Sequence, residues 1–298
     1  MASGFRVTLL GTGVPIPSSE RFGPSTLIEA GDHTLLIDAG RGATIRLFQI
    51  GVPIGKIDAL LLTHFHSDHT VGIPDLWLTG WLSSYFGARQ KPFHVIGPTG
   101  TRTLMEHLEA AYARDIEIRI EDEKLERKHA DVVVTEFARD GLVYEAGDLR
   151  VIAFTVDHGA AIKPAYGYRI EYQNRVAVIS GDTRYNENVV KYATGADLLI
   201  HEVAMATPEL LKQPDIQRIV NHHTSPRDAG LVFSRAQPKL AAYTHLVMLA
   251  SETVAPPSIE QLITETRMTY SGPLVVGEDL VCFEIDDHVV VRQRGRPA

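Results

Sequence analysis

The stretch LLLTHFHSDHTVG, Leu60 to Gly72, sets an apolar run directly against four metal-binding side chains, His64, His66, Asp68 and His69. An apolar run of this length reads as a buried strand. Successive side chains of a strand point to opposite faces, so residues two apart share a side. His64 and His66 can therefore meet one ion where the strand ends, while the following turn carries Asp68 and His69 to another. Imidazole and carboxylate suit zinc first, and manganese or iron next. Four such groups within six residues serve no packing purpose, and they predict a metal-dependent enzyme.

The rest of the composition limits what such an enzyme can be. With 298 residues, 44% of them hydrophobic, the chain can bury a large core, and length alone leaves one or two domains open. Cys282 is the one cysteine, which excludes an internal disulfide and a thiolate cluster, so a metal site must use His and carboxylate. A single cysteine also suits a reducing cytosol, and a cytoplasmic protein is expected. The start MASGFRVTLL lacks the pattern of a signal peptide, and no run of about 18 apolar residues predicts a membrane span. A net charge of -8 offers no general attraction to nucleic acid or to an anionic membrane.

Short branched-aliphatic stretches bounded by Gly, Asp or Asn predict strands over 5–10, 25–30, 34–38, 59–63, 149–156, 175–180, 198–200 and 240–244. Helical patterns lie over 43–50, 101–113, 226–235 and 258–266, the third opened by Ser225 as cap, Pro226 and Asp228. The charge-dense segment Asp115 to Asp131 reads as an exposed connection or irregular arm, and the terminal RQRGRPA as a frayed tail.

The His-x-His-x-Asp-His pattern after an apolar strand resembles the signature of the metallo-β-lactamase superfamily. LLGTG at Leu9 to Gly13 and LLIDAGRG at Leu35 to Gly42 look like that family's opening strands. The resemblance covers nearly the whole chain. It implies a single α/β domain spanning 1–298, a four-layer αβ/βα sandwich of two mixed sheets flanked by helices. It also implies a dinuclear metal site at one edge, with Asp38 as the buried acid supporting the metal loop. Three further positions match the family pattern where strands end: His158 in TVDHG, Asp182 in VISGDT and His245 in AAYTHL. The implied arrangement gives one metal to His64, His66 and His158 and the other to Asp68, His69 and His245, with Asp182 bridging. Two close cations lower the pKa of a shared water, so hydroxide attack is the expected reaction, and the resemblance assigns Asp68 to orient that nucleophile.

Two more motifs narrow the branch. LLIHEVA, carrying His201 and Glu202, and HHTSPRDAG, carrying His222 and His223, resemble paired elements of the ribonuclease Z and arylsulfatase-like branch. There the Glu and His form a relay beside the metals, and register with the helix start carries that role to Glu202 and His223 rather than His222. Ribonuclease Z holds transfer RNA with a long arm between the ligands matching His158 and Asp182; here 23 residues separate those positions, and Val203 and Ala204 replace an Ala and a Thr. With the acidic balance, this argues against a nucleic acid partner. Trp77, Trp81, Tyr85 and Phe86 after the metal loop could line a pocket or pack in the core, and Arg184 could meet an anionic oxygen or form a surface ion pair. The sequence is also similar to hydrolytic dehalogenases acting on chlorinated aromatic nitriles. The favoured expectation is a dinuclear hydrolase of a small ester, sulfate ester, phosphodiester or activated aryl halide; members of the branch are often dimers, which leaves a homodimer open. A ribonuclease Z-type endonuclease processing the 3′ end of transfer RNA is the alternative.

Overall fold

A computed structural model describes residues 4–295. The strands, in chain order, are β1 (Phe5–Gly11), β2 (Ser25–Ala30), β3 (His33–Ile37), β4 (Ala59–Leu61), β5 (Phe93–Pro98), β6 (Val132–Phe137), β7 (Gly141–Ala146) and β8 (Leu149–Thr155). They continue with β9 (Tyr166–Tyr172), β10 (Arg175–Ile179), β11 (Leu198–Met205), β12 (Leu240–Met248), β13 (Leu274–Val276), β14 (Val281–Ile285) and β15 (Val289–Gln293). One sheet has the order β15-β14-β1-β2-β3-β4-β5-β6, and the other β13-β12-β11-β10-β9-β8-β7. Each sheet mixes a parallel half, β3 to β6 and β10 to β13, with an antiparallel half.

The near-continuous apolar runs follow from strands buried on both faces. In β3, Leu35 and Ile37 join the core between the sheets while Leu36 faces the outer helices; in β4, Ala59 and Leu61 oppose Leu60 in the same way. The second sheet repeats the device, with Leu198 and Ile200 inward and Leu199 toward its own helices. Three apolar layers therefore separate four layers of structure, the αβ/βα metallo-β-lactamase sandwich.

The edge that matters is where the parallel strands end. In open sheets, ligands bind beyond the carboxyl ends of such strands. Two contacts tie this edge together across the sheets: Tyr166 N–H donates to the Thr63 carbonyl at 3.0 Å, and the buried Tyr168 hydroxyl donates to that of Leu62 at 2.5 Å.

Two expectations are corrected here, and one left open, the place of Trp77 and Trp81, is decided. The segment Asp115 to Asp131 is no irregular arm: the helix Thr101–Asp122 runs through its first part and a short helix Arg127–Ala130 follows. Its charges are spaced to pair along one turn, Arg119 with both Asp115 and Glu123, and Arg114 with Glu117, which lets an exposed helix tolerate them. Part of the terminal segment is ordered, with Arg292 and Gln293 in β15 and Arg294 bonded to Glu29 and Thr8; Arg296 to Ala298, like Met1 to Ser3, lie outside the described residues. Trp77 and Trp81 are buried in the core beneath the first sheet, their indole N–H groups donating to the carbonyls of Ala130 and Glu126. No helix among the described residues is long and apolar enough to cross a membrane.

Candidate metal centre

The candidate residues come from the ends of several strands. His64 follows β4 by three residues, and the loop beyond it enters the one-turn helix Ser67–Thr70, which presents Asp68 and His69. His158 lies past β8, Asp182 past β10, Glu202 within β11 and His245 within β12. His245 owes its aim to a register shift. Glu202 pairs with Thr244 and Val203 with Leu246, which leaves His245 as the extra residue of a bulge at φ +43°. A bulge re-aims one side chain out of the strand's alternation, here toward the site. Close approach shapes the floor as well: a Cβ on Gly40 would lie 2.4 Å from Gly23 backbone and 2.5 Å from the Asp68 carbonyl, so only glycine lets the three loops meet.

These side chains converge. His64, His66, His158 and Asp182 form one group that could hold an ion, Asp68, His69 and His245 a second, and Asp182, His223 and His245 a third that overlaps both; within each, the ligand atoms lie within 4.8 Å of one another. His66 Nδ1 is 3.0 Å from His64 Nε2 and 3.3 Å from His158 Nε2. The Asp182 Oδ2 atom is 3.4 Å from both His69 Nε2 and His245 Nε2, 3.6 Å from His158 Nε2 and 3.9 Å from His64 Nε2. Asp68 Oδ2 is 3.3 Å from His245 Nε2 and 3.7 Å from His69 Nε2. Donors at about 2.0–2.1 Å from a tetrahedral zinc stand roughly 3.4 Å apart, so these separations fit such an ion.

Hydrogen bonding outside the cluster orients its lone pairs inward. The Thr63 hydroxyl donates to Asp38 at 2.8 Å, so it accepts from His64 Nδ1–H at 2.9 Å. His158 Nδ1 faces the His222 carbonyl at 2.8 Å, which can only accept. His69 Nδ1 donates to Asp38 at 2.7 Å. All three imidazoles thus carry their proton on Nδ1 and turn Nε2 to the site, the arrangement by which outer carboxylates and carbonyls prepare metal ligands. His69 Nε2 is buried with no hydrogen-bond partner, a polar atom a cation would satisfy.

The titration behaviour of two of the three agrees, whereas Asp182 and Asp38, against the burial of His69, raise that ring well above the imidazole range. Burial, reinforced by His69, holds His64 well below the usual imidazole range, and burial brings His158 down to about 4. Both are neutral and basic toward a cation. Burial alone would raise Asp182, but the imidazoles of His245 and His69 hold its carboxyl well below the carboxylate range.

Beside this cluster, Glu202 Oε1 accepts from the backbone N–H of Thr224 at 2.9 Å and of Thr183 at 3.3 Å, and Oε2 accepts from His223 Nδ1 at 3.1 Å. Burial opposes charge on His223, yet the Glu202 carboxylate prevails and lifts it to about 9. His222 puts its carbonyl, not its ring, to use at His158, and His201 is buried edge-on to Phe233 in the outer core. Sequence reading missed Thr63, Thr183 and Thr224, whose parts depend on partners far along the chain; the run Leu60 to Gly72 held Thr63 in plain view but carried no sign of Asp38 as its acceptor. The Arg184 guanidinium rests on Asp157 at 2.6 Å in an ion pair half open to solvent.

Comparison with known proteins accords with this geometry. A sequence model of the family described as "Anti-Pycsar protein Apyc1" matches residues 5–213. The chain is 34% identical over 295 residues to a protein of Mycolicibacterium gilvum named Ribonuclease Z, covering 97% of this chain and 99% of that one. This chain belongs to the Anti-Pycsar protein Apyc1 family and is a metallo-β-lactamase superfamily hydrolase of the ribonuclease Z branch. Solved structures share the branch's fold: the metallo-β-lactamase fold protein YhfI of Bacillus subtilis (TM-score 0.71, 21% identity, 94% of this chain and 99% of that one) and the short form of human tRNase Z (0.68, 22%, 94% and 99%). Membership of this branch supports binding of divalent metal at the His and Asp cluster.

Kinship with proteins named Ribonuclease Z over nearly the full length overturns the expectation of a small-molecule substrate and the exclusion of nucleic acid. The error lay in reading a field from a sum. A net charge of -8 belongs to the whole surface, whereas a phosphate strand meets only the site's rim. There, the Asp157 carboxyl is held down against its partial burial by the Gly159 N–H, then by its partner Arg184 and by Lys163, and burial and the neighbouring His223, ahead of Arg184 and Arg218, lower His222.

Proposed function

We propose that this chain is a ribonuclease Z-type endonuclease, a dinuclear metal enzyme that hydrolyses a phosphodiester of an RNA strand, with the full 298 residues as one catalytic domain. The observation that carries it is the convergence of Asp182 Oδ2 on imidazoles of both ligand groups, in a chain 34% identical to a protein named Ribonuclease Z. In this reading His64, His66 and His158 hold one cation, Asp68, His69 and His245 the other, and Asp182 bridges. The nitrogen and oxygen donors suit zinc, with manganese or iron as substitutes. Such ions, when bound, supply Lewis acidity to the phosphoryl oxygen and make water nucleophilic at neutral pH.

The chain's own groups do the rest. Asp68, buried on the one-turn helix, orients the attacking water and takes its proton. His223, held protonated by Glu202, faces the same space and can hold a developing negative charge or pass a proton to the leaving oxygen. Arg184, on the rim, is free to trade Asp157 for a phosphate, since an exposed pair costs little to break. We place the enzyme in the cytoplasm, where a chain with one buried cysteine loses no cross-link to a reducing environment.

The test is to incubate protein of measured metal content with a precursor transfer RNA. Cleavage at one position, lost on chelation and restored by zinc, is expected. Asp182→Ala should both lower bound metal and abolish cleavage; retention of two metals per chain would remove Asp182 from the bridging position, and an uncut RNA would defeat the function.

A further inference from the structure

The space beside the metal cluster is larger than hydrolysis of a phosphate group requires. An open cavity of about 960 Å³ is lined by His223 and Arg184, the end of β11, the start of the helix Pro226–Ala236 and one face of the helix Ile259–Arg267. Its walls divide by chemistry. Met205, Leu211 and Val220 supply an apolar side, and Tyr185 an aromatic one, held in place because its hydroxyl bonds Glu187 and Arg235. The two helices add the carboxylates of Asp228, Glu260 and Glu265, the last of them paired with Arg227 at 2.6 Å.

That division orients an occupant. An anionic group would be repelled by Asp228 and Glu260, which no cation pairs among the described residues, and drawn to Arg184 and the metal cluster. A flat, uncharged group fits between Tyr185 and the apolar wall, and hydrogen-bond donors on it would meet carboxylate acceptors. A nucleotide has this polarity, with phosphate at one end and base edge at the other. Unpaired bases are commonly held by stacking on aromatic side chains and by bonds to their edges.

We propose that this cavity seats one base of the RNA strand adjacent to the scissile phosphate, and that it favours a base carrying an exocyclic amine. The inference rests on the endonuclease reading above. It makes the cavity a specificity subsite: Tyr185 and Leu211 sandwich the base, Arg184 takes its phosphate, and the carboxylates accept from the amine.

The experiment uses the full-length, metal-loaded enzyme and a short RNA cut at a single place, with each nucleotide flanking that place replaced in turn by an abasic one. At one position the abasic substitution should lower kcat/KM at least about tenfold, the scale of a lost base stack. Leu211→Trp and Met205→Trp fill the cavity from two sides; each variant, checked for an unchanged circular dichroism melt, should bring the intact RNA down to the rate of the abasic one. Exchanging cytosine for uracil at the same position should cost roughly three- to tenfold in the wild type, the worth of a hydrogen bond. Cleavage that ignores the loss of every flanking base, or variants that slow intact and abasic RNA alike, would overturn the subsite and leave the endonuclease standing. Equal rates with cytosine and uracil would overturn the amine contact. No cleavage of any RNA would instead bring down the functional reading itself, and this inference with it.

Discussion

Single atoms set the chemistry of this site, and the most instructive is the Thr63 hydroxyl. It gives its proton to Asp38 and accepts one from His64, so it settles which His64 nitrogen faces the ligand cluster. Thr63→Val keeps the shape and removes the hydroxyl. Metal affinity should fall by about 10- to 100-fold, as for other outer-layer partners of metal ligands, measured by competition with a chromogenic chelator; unchanged affinity would show that Thr63 does not set the tautomer. His223 makes the converse case. In His223→Ala the proposed ligand set remains, so metal content should hold while kcat drops on the order of 10²- to 10⁴-fold, the usual reach of a positioned acid or base. An unaltered kcat would take His223 out of the mechanism. Neither role was open to sequence reading in full: His223 was picked by its register with a helix start, whereas Thr63 needed Asp38, 25 residues earlier, to be brought within reach.

Among the elements, the helix Pro226–Ala236 shows what local signals convey. Ser225 caps it, accepting from the Asp228 N–H at 3.2 Å, with Pro226 in the first turn, as the motif predicts. Ser225→Ala should cost about 1 kcal/mol in urea unfolding, the common worth of a cap; a loss near zero would mean that packing alone holds the helix start. Capping is a matter of a few adjacent residues, which is why this start was legible. The helix Thr101–Asp122 was half missed for the opposite reason, since its second half sets Ile116, Ile118 and Ile120 in strand-like alternation with charged residues and is supported by charge pairs one turn apart. The bulge at His245 could not be read at all, because it exists only in the register between β11 and β12.

At the level of the whole molecule, Asp279 closes the fold by joining distant parts of the chain. Its carboxylate accepts from the Thr12 N–H and hydroxyl, the Phe22 N–H and the Arg46 guanidinium, and so fastens the loop between β1 and β2, beside the site, to the start of the C-terminal strands. The Arg46 and Asp279 side chains are only 11% and 5% exposed. Asp279→Ala would leave a buried guanidinium without its carboxylate, though still bonded to Gln49 and the Glu20 carbonyl, and should cost about 3 kcal/mol in urea unfolding, with much of the loss recovered when Arg46→Met is added. A cost under 1 kcal/mol would show that the loop is held by other means. The same scale defeated the reading of charge, because a molecular total of -8 does not say what a strand meets at one rim. What the sequence determined by itself was whatever depends on near neighbours: strands buried on both faces, the cluster from His64 to His69, the capped helix and the donor types available for metal. Tertiary structure alone decided which nitrogen each imidazole presents, how His158, Asp182 and His245 meet the first cluster, where His245 leaves its strand and what field a substrate meets. Strand alternation and capping act over a few bonds, whereas convergence and local potential depend on packing between residues far apart in the chain.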